Sequence, residues 1–232
     1  MALFRPFSDD FLRLIEKLVL DRNETVASSY AVAAGYIARS ASDKQILRLI
    51  GFAQRLYFDS EGDREASIPR RSISSGEVMY ALVKHASDRF NALASSALPF
   101  VFVAKHDGHE LVKEQFQNTW DDAVGGSRAV LLYLNEILQI CNKHLDSPQW
   151  TLKHTSARAI ADATIAVSAV ESTMSANVAG QLWPAIEKGL SGKTWDGKEV
   201  VLSSFVKFAE KGKAYYAQQP SVQAAMKMVC HT

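Results

Sequence analysis

Apolar residues in this chain return every three or four positions along nearly its whole length, and nowhere do they alternate for long with period two. That is the period of an α-helix with one buried face, and it constrains the fold more than any single motif. Phe11, Leu14, Ile15 and Leu18 form a first stripe, with Ser8 expected as its N-cap. Val26, Tyr30, Ala33 and Ile37 follow Asn23, and Ile46, Leu49, Ile50, Ala53 and Tyr57 follow Ser42. Further stripes run through Met79, Leu82, Val83, Ala86 and Phe90, then through Leu131, Leu134, Leu138, Cys141 and Leu145. The last two hold Ala157, Ile160, Ala161, Thr164 and Ile165, and then Val201, Phe205, Phe208 and Ala209. Polar residues lie opposite each stripe and short turns separate them, so neighbouring helices are expected to pack antiparallel.

The helices resemble one another in pairs. "YAVAAGYIARSASDKQILRLIGFAQ" is matched by "YALVKHASDRFNALASSALPFVFVAK", each a small-residue-rich helix, a polar turn and a bulkier helix. "ARAIADATIAVSAVESTMSANVAGQLWPAIEKGL" repeats the arrangement, and Pro184 echoes Pro99. Helix pairs of about 35–50 residues mark HEAT or armadillo solenoids, whose repeats bury their faces only against their neighbours. The sequence therefore predicts an all-α chain, an α-solenoid of HEAT-like antiparallel helix pairs. It is expected to form one segment over residues 1–232, with repeats at roughly 8–58, 74–106, 149–191 and 196–231 and an irregular unit at 109–145. A helix at the start and the uncapped "MKMVC" near the end suggest a piece of a longer array.

Two stretches interrupt the pattern. "DSEGDREASIPRRSIS", Asp59 to Ser74, reads as a long polar loop, solvated or used for a partner contact. "DGHELVKEQFQNTWDDAVGG", Asp107 to Gly126, reads as an inserted helix anchored by Trp120, after which Gly125 and Gly126 open a long helix.

At 47% hydrophobic and 22% charged, the 232 residues can bury a substantial core. The net charge of +1 leaves no footprint for nucleic acid or an anionic membrane. No signal peptide and no membrane-spanning apolar run is visible, and Cys141 and Cys230 make no disulfide or metal framework, which suits a reducing compartment. Cys141 sits on an apolar helical face as a small core residue.

"EKGLSGKTWDGKE", Glu187 to Glu199, looks at first like a phosphate-binding loop. It fails as one: Glu187 stands where the first glycine belongs, and the run before it is helical rather than a strand. A structural reading fits better, with Gly189 and Gly192 ending one helix at positive φ and Asp196 or Thr194 capping the next. His106 and His109 with Asp107 and Glu110 are the nearest thing to a metal cluster, but the spacing aligns no pair on one helix face. A solvated turn with a helix starting at His109 is the simpler reading. Asp121 and Asp122 diverge on a helix, and His85 and His154 sit among alanines, serines and lysines. No serine lies in a nucleophile elbow, and Trp150 and Trp183 read as core anchors. No catalytic, cofactor-binding or metal residue is assigned, and no small-molecule substrate is expected.

Four stretches carry a family resemblance, in order from about Leu98 to Glu199: "LPFVFVAKHDGHE", "TWDDAVGGSRAVLLYLNEILQICNKHL", "SPQWTLKHTSARAIADATIAV" and "GLSGKTWDGKE". The last is the most specific. They resemble the large HEAT-repeat adaptor and scaffold family associated with the 26S proteasome, and this chain would come from its C-terminal half. The resemblance implies a non-catalytic cytoplasmic and nuclear protein that tethers the regulatory particle to the core particle and serves assembly quality control. It implies that Gly189, Gly192, Trp195, Gly197, Lys198 and Glu199 shape an inter-repeat corner. Trp195 would pack beneath that corner, and Lys198 would face the preceding helix's last carbonyls. The helix pairs alone equally permit a scaffold or transport receptor for another partner, such as a nuclear-transport receptor or a phosphatase scaffold. The balance of 26 basic to 25 acidic residues gives the transport reading no support.

Overall fold

In the computed structural model, the described residues are 6–59, 62, 68–123, 127–170, 173–191 and 198–230. Among them are thirteen helices and no strand, so the chain is all-α, of the HEAT-repeat solenoid class. They group into two units. Residues 1–125 with 149–155 form the first, and residues 126–148 with 156–232 the second.

The first unit is built from α1 (Ser8–Leu18), α2 (Glu24–Ala38), α3 (Asp43–Phe58), α4 (Arg70–Ala92), α5 (Ala94–Ala104) and α6 (Glu110–Ala123). They form two rows. In one, α3 touches α1 and α5; in the other, α4 packs against α2 and α6. Helix α6, the extra helix expected between repeats, packs against both α4 and α5. Trp120 anchors it as expected, edge-on to Phe102 with ring centres 5.1 Å apart.

Local sequence explains most of the boundaries. Asn23 accepts from the Val26 amide at 3.3 Å and starts α2. Ser42 and Gln45 form a reciprocal capping box at α3. The expected stripes of α3 and α4 are all buried.

The first two stripes lie elsewhere than expected. Leu12, Ile15 and Val19 are the buried face of α1, while Phe11 and Leu14 are exposed. Ser8 is no cap: it lies buried in the first helical turn, its hydroxyl 3.5 Å from that of Ser40. On α2 the core face is Ala27, Ala31, Ala34, Gly35 and Ala38. A Cβ added at Gly35 would overlap the Ala81 carbonyl oxygen and stand 2.8 Å from its carbon. Small side chains there let α2 and α4 meet backbone to backbone.

The expected loop from Asp59 to Ser74 ends early, because Arg70 onward is helix. Ser74 and Ser75 are buried, donating to the carbonyls of Val19 and Ala53 at 2.7 Å each. Their polarity suggested solvent; their hydroxyls instead satisfy backbone acceptors on α1's end and α3.

The second unit contains α7 (Ser127–Leu132), α8 (Leu134–Leu145), the greater part of α9 (Trp150–Val170), α10 (Ala176–Leu190), α11 (Lys198–Lys211), α12 (Lys213–Tyr216) and α13 (Pro220–Cys230). The single long helix expected from Leu131 to Leu145 is two, broken at Tyr133 (φ −107°, ψ 17°). Helix α10 packs on α8, α11 and α12. Trp183 is buried as expected, its ring 5.2 Å from that of Phe208. Lys188 ties α10 to the end of α8, donating to the Asn142 carbonyl at 2.7 Å and to Asp146 at 2.6 Å. Two expected anchors on α9 face outward: Trp150 is 56% exposed and Ile165 49%. Cys141 is fully buried, and burial pushes its thiol pKa upward.

Candidate interaction surface

A concave feature of the first unit lies over α4, between α2 and α6. It is a cleft of about 360 Å³. Its existence follows from small residues. Gly35 and Ala81 bring α2 close to α4, and Gly76 lets Gln115 of α6 lie against the α4 backbone, since a Cβ there would meet Gln115 Cβ at 2.9 Å. The floor is then alanine, Ala31 and Ala81, and the walls are Val32, Tyr80 and Leu111.

Charge is separated along the cleft. At one end stand Glu77 of α4 and Glu114 of α6; at the other stand Lys84 and His85 of α4. Glu77 accepts from the Ser28 hydroxyl. Burial raises its pKa above the usual carboxylate value of 4.5, against the opposing effects of Ser28 and the Arg70 charge. Lys84 Nζ lies 5.3 Å from the centre of the Tyr80 ring. His85 stacks on Tyr36 with centroids 4.2 Å apart. Burial, then the charges of Lys84 and Arg39, lower its pKa below 6.5. Helix α4 kinks at Ala86 (φ −139°, ψ 41°), and the adjoining His85 carbonyl accepts from Arg39 Nε at 2.6 Å.

In the turn before α6, Gly108 is exposed as a solvated turn requires, but Asp107 is not. Asp107 is buried, and its carboxylate accepts from the Tyr57 hydroxyl at 2.7 Å and from the His109 amide at 2.8 Å. Tyr57 is itself wedged edge-on between Phe100 and Phe116, at 5.5 and 5.4 Å. Asp107 therefore starts α6 and locks it to α3. Among the described residues, no group of three His, Cys, Asp or Glu side chains could hold a metal ion. No described helix is long and apolar enough to cross a membrane.

The six motif residues divide. Gly192, Trp195 and Gly197 lie outside the described residues, as do Thr194 and Asp196. Lys198 and Glu199 open α11. Gly189 lies in the last turn of α10, one residue before its end, but without a positive φ, and a Cβ on it would stand 2.9 Å from Val201 Cγ1. Its small size, not its backbone freedom, is what the site requires. The cleft was missed by sequence reasoning. Its signal, small residues on α2 and α4 at their contacts with one another and with α6, lies in a tertiary arrangement that no single stripe reveals.

Rows of paired helices define the class, a HEAT-type helical segment. Residues 1–58 match the family described as "Proteasome adapter and scaffold protein ECM29, HEAT-repeat domain". The chain is 25% identical over 233 residues to "Proteasome component ECM29" of Saccharomyces cerevisiae, an alignment covering 98% of this chain and 12% of that protein. It is 27% identical over 206 residues to "Proteasome adapter and scaffold protein ECM29" of Homo sapiens, covering 86% of this chain and 11% of that protein. To "Proteasome component ecm29" of Schizosaccharomyces pombe it is 25% identical over 217 residues. The resemblance to this adaptor and scaffold family is thus shown over nearly the whole chain, which spans about an eighth of the length of these relatives.

Proposed function

We propose that this chain is a non-catalytic segment of a proteasome adaptor and scaffold, which helps to hold the regulatory particle against the core particle of the 26S proteasome. The observation that carries the reading is the similarity of nearly the whole chain to proteins named as proteasome components and adapters. The helix rows support it physically. HEAT-type repeats present extended faces suited to large partners, and the groups that would make an active site are apart or engaged in packing. In this reading the segment lies in the C-terminal half of a longer array, and the parent acts in cytoplasm and nucleus. It takes no cofactor, nucleic acid or small-molecule substrate. Affinity purification of the tagged parent protein from native lysate tests it. Co-purification of both proteasome particles is expected; recovery of the parent without proteasome subunits would refute it.

A further inference from the structure

We propose that the cleft over α4 is a docking site for a helix of a partner protein, one that carries a basic and an acidic side chain two turns apart. The inference rests on the adaptor reading only for which protein supplies that helix.

Four observations lead there. The first is space. The cleft of about 360 Å³ is open along α4 between α2 and α6, a concavity on which the side chains of one further helix can seat. The second is the lining. Val32 and Leu111 are 42% and 54% exposed on opposite walls, over a floor of alanines, which offers an apolar stripe something to pack against. A helix satisfies its own backbone hydrogen bonds, whereas an extended segment would bring unpaired amides and carbonyls to this lining.

The third is Glu77. This half-buried carboxylate is met by one hydroxyl, that of Ser28, and the nearest basic influence on it is Arg70. With Glu114 on the facing wall, it forms a site for a lysine or arginine whose aliphatic stem lies along the apolar wall. The fourth is Lys84. It lies seven residues along α4 from Glu77, about 10 Å at 1.5 Å per residue. A partner helix with a cation at one position and an anion seven further on meets both ends, with apolar side chains between them at three and four. Either helix direction satisfies this, so the pair of opposite charges and their spacing are what is read.

The test uses the full chain and synthetic, fluorescently labelled, alanine-based helical peptides. Each has leucines at the two intermediate positions and one of three charge pairs: lysine with glutamate, two lysines, or two glutamates. Fluorescence anisotropy should show the mixed pair binding about tenfold tighter than either like pair, because a like pair keeps one modest ion pair and turns the other into a like-charge contact. Lys84→Glu, a change at an exposed side chain, should transfer the preference to the two-lysine peptide. A proline placed mid-peptide should abolish binding. Equal binding of all three peptides, no binding, or a preference unmoved by Lys84→Glu would overturn the proposal. So would full binding of the proline peptide, which would mean an extended ligand. Capture of purified 26S proteasome by the same proteins is read separately. Peptide binding without proteasome capture, together with recovery of the parent protein free of proteasome subunits, refutes the proteasome reading and leaves the docking site standing. Capture unchanged in Leu111→Asp and Lys84→Glu, with peptide binding lost, means that the proteasome contact is elsewhere on the chain.

Discussion

Gly35 is the residue on which the α2–α4 contact turns. A methyl there must displace the Ala81 carbonyl, which is helix backbone and cannot swing away. Gly35→Ala should therefore destabilise the chain by about 2–3 kcal/mol despite alanine's better helix propensity. Gly51 of α3 is the control: the nearest atom to an added Cβ is the end of the Arg55 side chain at 3.5 Å. Gly51→Ala should stabilise by about 0.5–1 kcal/mol. Chemical denaturation of the two variants measures both. Glu77 gives a pH signature. Its folded pKa is raised, so above 4.5 the native state still holds a proton that the unfolded chain has lost. Stability therefore falls as pH rises through that window. Glu77→Gln keeps an acceptor for Ser28 and should remove that fall, leaving the variant slightly more stable than wild type at neutral pH in thermal melts. The alanine face of α2 explains what sequence reading missed at this scale. Val26, Tyr30 and Ile37 carry more hydrophobic area than alanine and so drew the stripe, but close approach to α4 selects the smallest residues instead.

At the scale of elements, helices α3 and α4 were legible because large apolar residues mark their faces and polar caps mark the start of α3. The start of α4 was not, since buried serines that donate to carbonyls look, in sequence, like a solvated loop. The α3–α6 lock was invisible because it joins Tyr57 to Asp107, fifty residues apart. Tyr57→Phe keeps the aromatic packing and removes one donor from a buried carboxylate. It should cost about 1–3 kcal/mol, and hydrogen exchange should rise first in the opening turn of α6. Gly189 makes a parallel case in the second unit. Gly189→Ala should destabilise the α10–α11 contact by about 1–2 kcal/mol. Val201→Ala in the same chain should recover most of that loss, because it removes the methyls that the new Cβ strikes. A glycine needed for backbone freedom would show no such recovery.

For the whole molecule, the all-α class was legible in the periodicity and the family resemblance in the quoted stretches. The cleft was not legible there, because its charged ends and apolar walls come from residues 28 to 118, which only the packing of α2, α4 and α6 brings together. The near-neutral charge of +1 hides a local separation, acidic at Glu77 and Glu114 and basic at Lys84. We propose that this chain itself touches the proteasome. The most direct measurement is capture of purified 26S proteasome and free core particle by the immobilised, folded and monodisperse chain, beside an unrelated HEAT segment of similar size and charge. The account predicts selective, salt-sensitive capture by this chain alone. Equal capture by both segments, or capture by neither, would contradict it.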